Sequence, residues 1–338
     1  MPRVDQRWCS RDSIPRANIK VMEIFERIAD LRTERGAVVT IGVYDGVHLG
    51  HQSVLRLVRE LADARDLDAT CITFDRHPAE VVRPESAPKL LTLPDQKLAL
   101  LAATGYVDRC SVIRFDEERS TESAEEFVHE VLVDGAGARV VVVGADFHFG
   151  KGRGGNVALL EHMGAELGFE VIGVGLVAES GGTVYSSTRI RELLAAGDVE
   201  AAAAMLGRPH EVRGTVEHGD QRGRELGFPT ANVAVPERAC LPADGVYAGM
   251  FTAPGPDGDD VSGVAAISLG RRPTFYEDHG LLLLEAHLLD FSGDLYDRTA
   301  SVRFHSTIRG QERFDSVAAL VERMEIDVAE TRRRAASW

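Results

Sequence analysis

The sequence predicts an α/β protein of two unlike domains, a helix-covered parallel sheet followed by a small antiparallel barrel. Three observations carry this. Over the first two hundred residues, apolar runs of strand length alternate with amphipathic helical stretches. Beyond them, short strands at regular spacing dominate. Between the two regimes, Gly207-Arg208-Pro209 breaks an Ala-rich helical stretch, Val199–Leu206, which sets a boundary with domains at 1–206 and 207–338.

The elements follow in order. Met22–Arg32 has Ile24, Phe25, Ile28 and Leu31 spaced for one helical face, a helix that caps the first domain. Ala37–Val43 is a buried strand and Gln52–Ala64 a helix with Val54, Leu55, Val58 and Leu61 on one side. Ala69–Phe74 is a strand, Asp95–Thr104 a helix and Val107–Phe115 a strand. Ser123 caps a helix to Val133, with Glu126 completing a capping box. Ala138–Gly144 is a strand, Val157–Leu167 a helix and Phe169–Val177 a strand. In the second domain, strands are expected at Glu211–Glu217, Gly245–Thr252, Val261–Leu269, Leu281–Asp290 and Thr299–Phe304, with a turn-rich loop at Ala253–Asp260. A last helix carries Val317, Leu320, Val321 and Met324 on its apolar face.

Composition narrows the functional classes. With 338 residues, 44% apolar and 27% charged, the chain reads as soluble and globular. A net charge of −15 argues against general nucleic-acid or anionic-membrane binding, which needs a basic face. Cys9, Cys71, Cys110 and Cys240 are scattered without a CxxC pair, so a disulfide framework or zinc site is not expected and a reducing cytosol fits. No apolar run approaches the roughly 18 residues of a membrane span, and the charged start MPRVDQRWCSRDSIPR lacks the apolar core of a signal peptide.

The first chemical motif is GVYDGVHLGH, Gly42–His51, between a predicted strand and a predicted helix. Ligands of open α/β sheets bind at such carboxyl ends. His48 and His51 lie three apart in the first helical turn, so they point the same way. Free helix N-terminal amides suit a phosphate, and Gly42, Gly46 and Gly50 let the backbone approach it. Two imidazoles and a helix end can hold charge spreading over an attacked α-phosphate. An isolated HxxH also fits two core or surface histidines, or metal ligation, although no cysteine or third histidine lies nearby in sequence.

The full string resembles the GxFDGxHxGH form of the (H/T)xGH signature in bacterial FAD synthetases, members of the nucleotidyltransferase superfamily. Tyr44 stands where that family usually has Phe. Three further stretches resemble it in order: TFDRHP (Thr73–Pro78, with Arg76 replacing a proline), VGADFHFGKGRGG (Val143–Gly155) and YSSTRIR (Tyr185–Arg191). By itself, GKGRGG reads as a flexible loop rather than a dinucleotide fingerprint. The resemblance implies ATP and phosphate binding by Gly42, Asp45, Gly46, His48, Gly50, His51, Ser187, Thr188 and Arg191, and flavin contacts from Asp75, His77 and Asp146.

The second motif is GDQRGRELGFPTANV, Gly219–Val233. Gly223 and Gly227 permit a tight loop, and Pro229 stiffens the approach to Thr230 and Asn232. A hydroxyl and an amide oxygen at i and i+2 share one side of an extended segment, and both are hard ligands of the kind Mg²⁺ takes. PTAN alone also reads as a Pro-containing edge strand. The whole string resembles the GxGRGxxLGFPTAN motif of riboflavin kinases, with His218 and Gln221 at variable positions. ADGVYAG (Ala243–Gly249), SLGRRPTF (Ser268–Phe275, Ser268 replacing Asn), LEAHLLDFSGDLY (Leu284–Tyr296) and STIRGQERFDSVAALVERMEID (Ser306–Asp327) resemble later segments of that family. By alternation alone, Glu285, His287 and Leu289 share a strand face opposite Leu284, Ala286 and Leu288, which leaves Glu285 facing solvent. The resemblance makes Glu285 the general base on the ribityl hydroxyl, brings Phe228 and Pro229 into the site, and sets Arg309-Gly310 in a loop near the flavin. No GxxxxGK[ST] P-loop occurs, so a kinase activity must rest on a barrel-type site.

The two resemblances cover about residues 36–330. They imply a Rossmann-like nucleotidyltransferase domain and a riboflavin-kinase-type barrel with a terminal helix. The implied function is bifunctional: riboflavin to FMN, then FMN to FAD, with ATP at both steps and Mg²⁺ as cofactor, held with the nucleotide at Thr230 and Asn232. Three alternatives stay open. They are a paralogue with one active site, a non-catalytic flavin-binding regulator, and a nucleotidyltransferase for a pantetheine phosphate or nicotinamide mononucleotide. The barrel has no purpose under the last.

Overall fold

The structure is a computed structural model that describes residues 21–175, 184–219, 222–255, 259–272 and 281–338. The charged N-terminal segment with Cys9, Gln221, the centre of the Ala253–Asp260 loop and the Pro273-Thr274-Phe275 part of the SLGRRPTF stretch lie outside the described residues. Two compact units meet in sequence between Ser186 and Ser187.

The first unit runs β1 (Glu23–Phe25), β2 (Ala37–Ile41), α1 (Leu49–Arg65), β3 (Asp68–Phe74), α2 (Ala79–Val82), α3 (Pro94–Ala103), β4 (Arg109–Ile113), α4 (Glu117–Thr121) and α5 (Ala124–Phe127). A π-helical stretch, Val128–Gly135, extends α5. Then come β5 (Ala138–Gly144), a ribbon of β6 (His148–Phe149) and β7 (Gly155–Asn156), α6 (Val157–Leu167) and β8 (Glu170–Val174). Six strands form a parallel sheet in the order β1-β4-β3-β2-β5-β8. Every residue of β2 is buried, as both-sided helix cover demands. Side-chain alternation feeds two cores. Val39, Ile41, Val141 and Val143 meet Leu132 and Leu160 on one face, and Val38, Val140 and Val142 meet Val58 and Ala62 of α1 on the other. The Ser123–Glu126 capping box forms as expected, with reciprocal hydrogen bonds of 2.9 and 3.1 Å.

The helix expected over Met22–Arg32 is not there. Glu23–Phe25 instead pairs in parallel with β4. Arg109 fixes it, bonding Glu23 at 2.7 Å and the Asp30 and Leu31 carbonyls at 3.1 Å while lying over the Phe25 ring at 4.3 Å. Pairing with an open sheet edge outweighs the helical spacing. The GKGRGG stretch is likewise no loose loop. β6 and β7 pair across it, and a Cβ on Gly150 or Gly155 would meet Ala124 at 2.7 Å.

The second unit begins with α7 (Ser187–Ala195) and α8 (Val199–Leu206). It continues with β9 (His210–Glu217), α9 (Arg222–Glu225), β10 (Ala231–Ala234), β11 (Gly245–Pro254), β12 (Asp260–Arg272), β13 (Leu281–Leu288), β14 (Thr299–Gly310) and α10 (Val317–Ala335). Its strands close an antiparallel barrel in the order β10-β13-β12-β11-β14-β9. The short β10 falls on the PTAN stretch, which alone reads as an edge strand, but it closes the ring by pairing with both β9 and β13. Leu284, Ala286 and Leu288 point into the core while Glu285 and His287 stay half-buried outside, as alternation predicts. Leu289 does not stay on their face. The strand ends at Leu288, Leu289 is buried, and Asp290 turns the chain at φ 60°.

Two further expectations change here. Arg309 and Gly310 belong to β14 rather than to a loop, because β14 keeps pairing with β11 through two register shifts. On α10, Leu320, Val321 and Met324 are half-buried but Val317 is 63% exposed. The helix is anchored farther along, where Asp327 and Thr331 are buried.

Candidate active sites

In the first unit the sheet order reverses direction between β2 and β5, and the loops after β3, β2 and β5 leave neighbouring strands at their carboxyl ends. That is where such sheets bind ligands. Gly42–His51 follows β2, Asp75–His77 follows β3 and Asp146 follows β5, so these expected residues gather at one edge of the sheet.

His48 is the N-cap of α1, and its Nδ1 accepts from the His51 N–H at 3.3 Å. An imidazole accepting at Nδ1 carries its neutral proton on Nε2, which is then a donor. The two rings stack, centroids 3.6 Å apart and 20° from parallel. Gly50 suits this packing, since a Cβ there would press His48 and Tyr185 at 3.1 Å. Tyr44, at φ 53°, sets its buried ring 5.1 Å from that of His51 and shares a 2.6 Å hydrogen bond with Thr40. Burial pushes its phenol well above the usual range, so the ring is a neutral backing.

Asp45 is buried, and its carboxylate accepts from Leu91 N, Thr92 N and Thr92 Oγ1 at 3.0–3.2 Å. It ties the loop to the segment before α3, with Gly46 N donating to Thr92 Oγ1 at 3.0 Å. Gly42 packs against the Tyr44 ring. Asp75 accepts from Phe115 N at 2.9 Å and from Arg76 Nε and Nη2 at 3.1 and 2.9 Å. Burial opposes its ionisation, yet these hydrogen bonds hold its carboxyl below the ordinary range. His77 Nδ1 accepts from Ala79 N at 3.1 Å, opening α2. Asp146 is exposed, and its carbonyl partners His148 Nδ1 at 2.8 Å. Ser187, Thr188 and Arg191 lie in α7, which opens the second unit. Sequence reasoning missed Lys97, a buried cation within the apolar run of α3.

A cavity of about 790 Å³ also opens beside β1 and β4, away from the histidines. Glu26, Asp116, Glu118, Glu122, Glu126 and Glu130 line it against three arginines. That balance repels a triphosphate.

In the second unit, strand register builds the site on the outside of the barrel. Asn232 is directly opposite Glu285 across β10–β13, and Ser268 is opposite Glu285 across β12–β13. The motif loop folds over them. A Cβ on Gly219 would collide with the Asn232 amide, and one on Gly223 with the Phe228 carbonyl and close to Thr230 Oγ1. Gly227 turns the loop at φ 88°, and Phe228 N donates to Gly223 O at 2.7 Å. His287, one step along the face from Glu285, bonds the Pro229 carbonyl at 2.8 Å and meets the Phe228 ring edge-on at 5.5 Å. His218 stacks on Tyr296 with centroids 3.6 Å apart. Arg309 is elsewhere engaged: Nε and Nη2 bond Asp327 at 2.7–3.1 Å in a largely buried pair. Among the described residues no cluster of three or more His, Cys, Asp or Glu could hold a metal ion.

Comparison with known proteins follows the same division. A family model described as FAD synthetase matches residues 30–189, and one described as riboflavin kinase matches 206–335. The chain is 42% identical over 316 residues to a bifunctional riboflavin kinase/FMN adenylyltransferase of Pseudomonas fluorescens, covering 93% of this chain and 98% of that one. It is 38% identical to the protein of that name from Escherichia coli K12, over 88% and 93% of the two chains. A crystal structure described as a macrolide-efflux protein from Streptococcus pneumoniae superposes with a TM-score of 0.79 at 30% identity, over 92% of this chain and 99% of that one. Among the described residues no helix is long and apolar enough to cross a membrane.

Proposed function

The chain belongs to the bifunctional riboflavin kinase/FMN adenylyltransferase family, and from that premise we propose that it makes FAD from riboflavin in two ATP-dependent steps. The observation that carries this reading is the match of two separate family models to residues 30–189 and 206–335; the histidine-capped helix in the first stretch and the Asn232–Glu285 pair in the second support it.

In the adenylyl step, an oxygen of the FMN phosphate attacks the α-phosphorus of ATP. The bond from that phosphorus to the bridging oxygen breaks, and pyrophosphate leaves. His48, His51 and the α1 amides, approached through Gly42, Gly46 and Gly50, stabilise charge on the α-phosphate without a covalent intermediate. Asp45 acts through the loop it ties down. Ser187, Thr188 and Arg191 keep their expected part in triphosphate binding, and Asp75, His77 and Asp146 theirs toward the flavin.

In the kinase step, the riboflavin 5′-hydroxyl attacks the γ-phosphorus, its proton passes to Glu285, and ADP leaves. The loop from Gly223 through Gly227, Phe228 and Pro229 encloses the nucleotide. Thr230 and Asn232 offer neutral hard oxygens under a glycine-built cradle, a donor set that fits Mg²⁺ shared with nucleotide phosphates. Bound there, the cation would neutralise charge on the transferred phosphoryl group.

We set the kinase portion at 207–338 and the remainder at 1–206; Gly207 caps α8 in the left-handed region. The protein acts in the cytosol on small molecules, a reading supported by the buried thiols of Cys71 and Cys110 and by the net charge of −15, which disfavours nucleic acid and anionic membrane. The assignment of each site is tested by separate loss of FAD formation in His51→Ala and of FMN formation in Glu285→Gln. Equal loss of both activities in either variant would defeat it.

A further inference from the structure

Helix α3 buries a cation beneath the first site. Lys97 is 6% exposed, and its Nζ donates to the carbonyls of Val43 at 3.2 Å and Phe74 at 2.7 Å. Those carbonyls mark where the chain leaves β2 for Gly42–His51 and β3 for Asp75–His77. Val43 O also accepts from Thr73 Oγ1 at 3.2 Å, and the next residue, Tyr44, turns left-handed. With Asp45, Asp75 and His77, Lys97 lines a narrow cleft between the two loops.

A buried ammonium is expensive, and a Met or Leu would pack the same helix face at no such cost. Burial lowers the pKa of Lys97, opposed by the nearby Asp45, Cys110, Cys71 and Asp75. Its direct partners are two backbone carbonyls, Val43 in the loop after β2 and Phe74 at the last residue of β3. An apolar residue could not replace those bonds: Phe74 O would lose this donor while Val43 O would keep Thr73 Oγ1, and relief of the buried ammonium offsets the lost bonds in stability, so what they supply is position.

We propose that Lys97 is a positioning residue for adenylyl transfer: it joins the departure points of the Gly42–His51 and Asp75–His77 loops and so fixes the spacing between the histidine pair and the residues after β3. The inference rests on the adenylyl-transfer reading of the first unit. A misplacement of catalytic groups by an ångström costs up to about a hundredfold in rate, so the effect should appear in kcat rather than in KM for ATP.

The test is Lys97→Met in the full chain, assayed for FAD formation from supplied FMN, for riboflavin phosphorylation, and by thermal unfolding. The expected result is a fall in the adenylylation kcat of about tenfold or more, with KM for ATP, riboflavin phosphorylation and the unfolding midpoint of the first unit all kept. Adenylylation within about twofold of wild type would overturn the inference. So would a loss that comes with a lowered midpoint, since that is a merely structural role. The wild-type chain run in parallel separates the two claims. Its failure to make FAD would refute the adenylyl-transfer reading, whereas a fully active Lys97→Met refutes only the role of the lysine.

Discussion

His48 accepts a hydrogen bond at Nδ1 from the His51 N–H, 3.3 Å away, while the two imidazoles stack with centroids 3.6 Å apart. One residue therefore caps the helix and the other stands on the cap. The two roles separate by mutation. His51→Ala should slow FAD formation by about 3 kcal/mol, near a hundredfold, while FMN formation continues. His48→Ala should lose adenylylation and also destabilise the first unit by about 1 kcal/mol through the missing cap. His48→Asn keeps a capping oxygen and should restore the stability but not the activity. Thermal unfolding with chromatography of the flavins checks all three.

Glu285 lies between Asn232 and Ser268 on neighbouring strands. Glu285→Gln retains the shape but cannot take a proton. Riboflavin phosphorylation should fall by two to four orders of magnitude, about the contribution of a general base, with adenylylation of supplied FMN unchanged. Steady-state rates for the two reactions on one protein sample give the answer.

Arg309 and Asp327 form a bidentate pair between β14 and α10, their side chains 10% and 6% exposed. Removing one partner leaves a buried charge that is only partly compensated, by Arg323 at 3.5 Å from Asp327 or by Glu312 at 3.9 Å from Arg309, so the cost should fall below the roughly 3–5 kcal/mol of a fully orphaned one. Arg309→Met and Asp327→Asn should both lower the unfolding midpoint of the second unit and reduce kinase activity in proportion to unfolding. A folded Arg309→Met with a selectively raised KM for riboflavin would instead restore the flavin contact expected from the sequence.

Acid should loosen the barrel through Glu211. Burial opposes its ionisation, but Arg213 at 2.8 Å and Arg303 at 2.7 Å hold its carboxyl down to about 2. A depressed folded pKa gives stability that is fully present above the unfolded value, about 4.3, and is lost as pH falls through about 2. The difference amounts to about 3 kcal/mol. Glu211→Gln should lower stability at neutral pH and flatten this acid limb, as read by denaturant unfolding across that range.

The kinase portion should work alone. A 207–338 fragment should phosphorylate riboflavin, and one beginning at Ser187 should do so at a higher unfolding midpoint. Helix α8 buries Val199, Ala202, Met205 and Leu206, and Thr307 bonds Gly197 O and Glu200. An inactive, unfolded shorter fragment would move the boundary toward Ser187.

The strand–helix alternation was legible because burial on both faces imposes nearly continuous apolar runs, as in β2 and the Val140–Val143 part of β5. The edge strand β1 was not, since its spacing also suits a helix and the pairing with β4 and the bond to Arg109, 86 residues away, decide between them. The site strings could be read, but not the jobs inside them. Nothing local in the sequence shows that Asp45 is spent on Leu91 and Thr92, that Arg309 faces Asp327, or that Lys97 joins two loops. Those facts depend on partners far along the chain. Conversely, the Asn232–Glu285 register gives a geometric reason for two residues that alternation alone would have left on a solvated face.

The most direct measurement is a time course of the full chain with riboflavin, ATP and Mg²⁺, the flavins separated by chromatography. Two activities on one chain require FMN to rise first and FAD to follow from it. An absence of FMN, or FMN that accumulates without any FAD, would contradict the account.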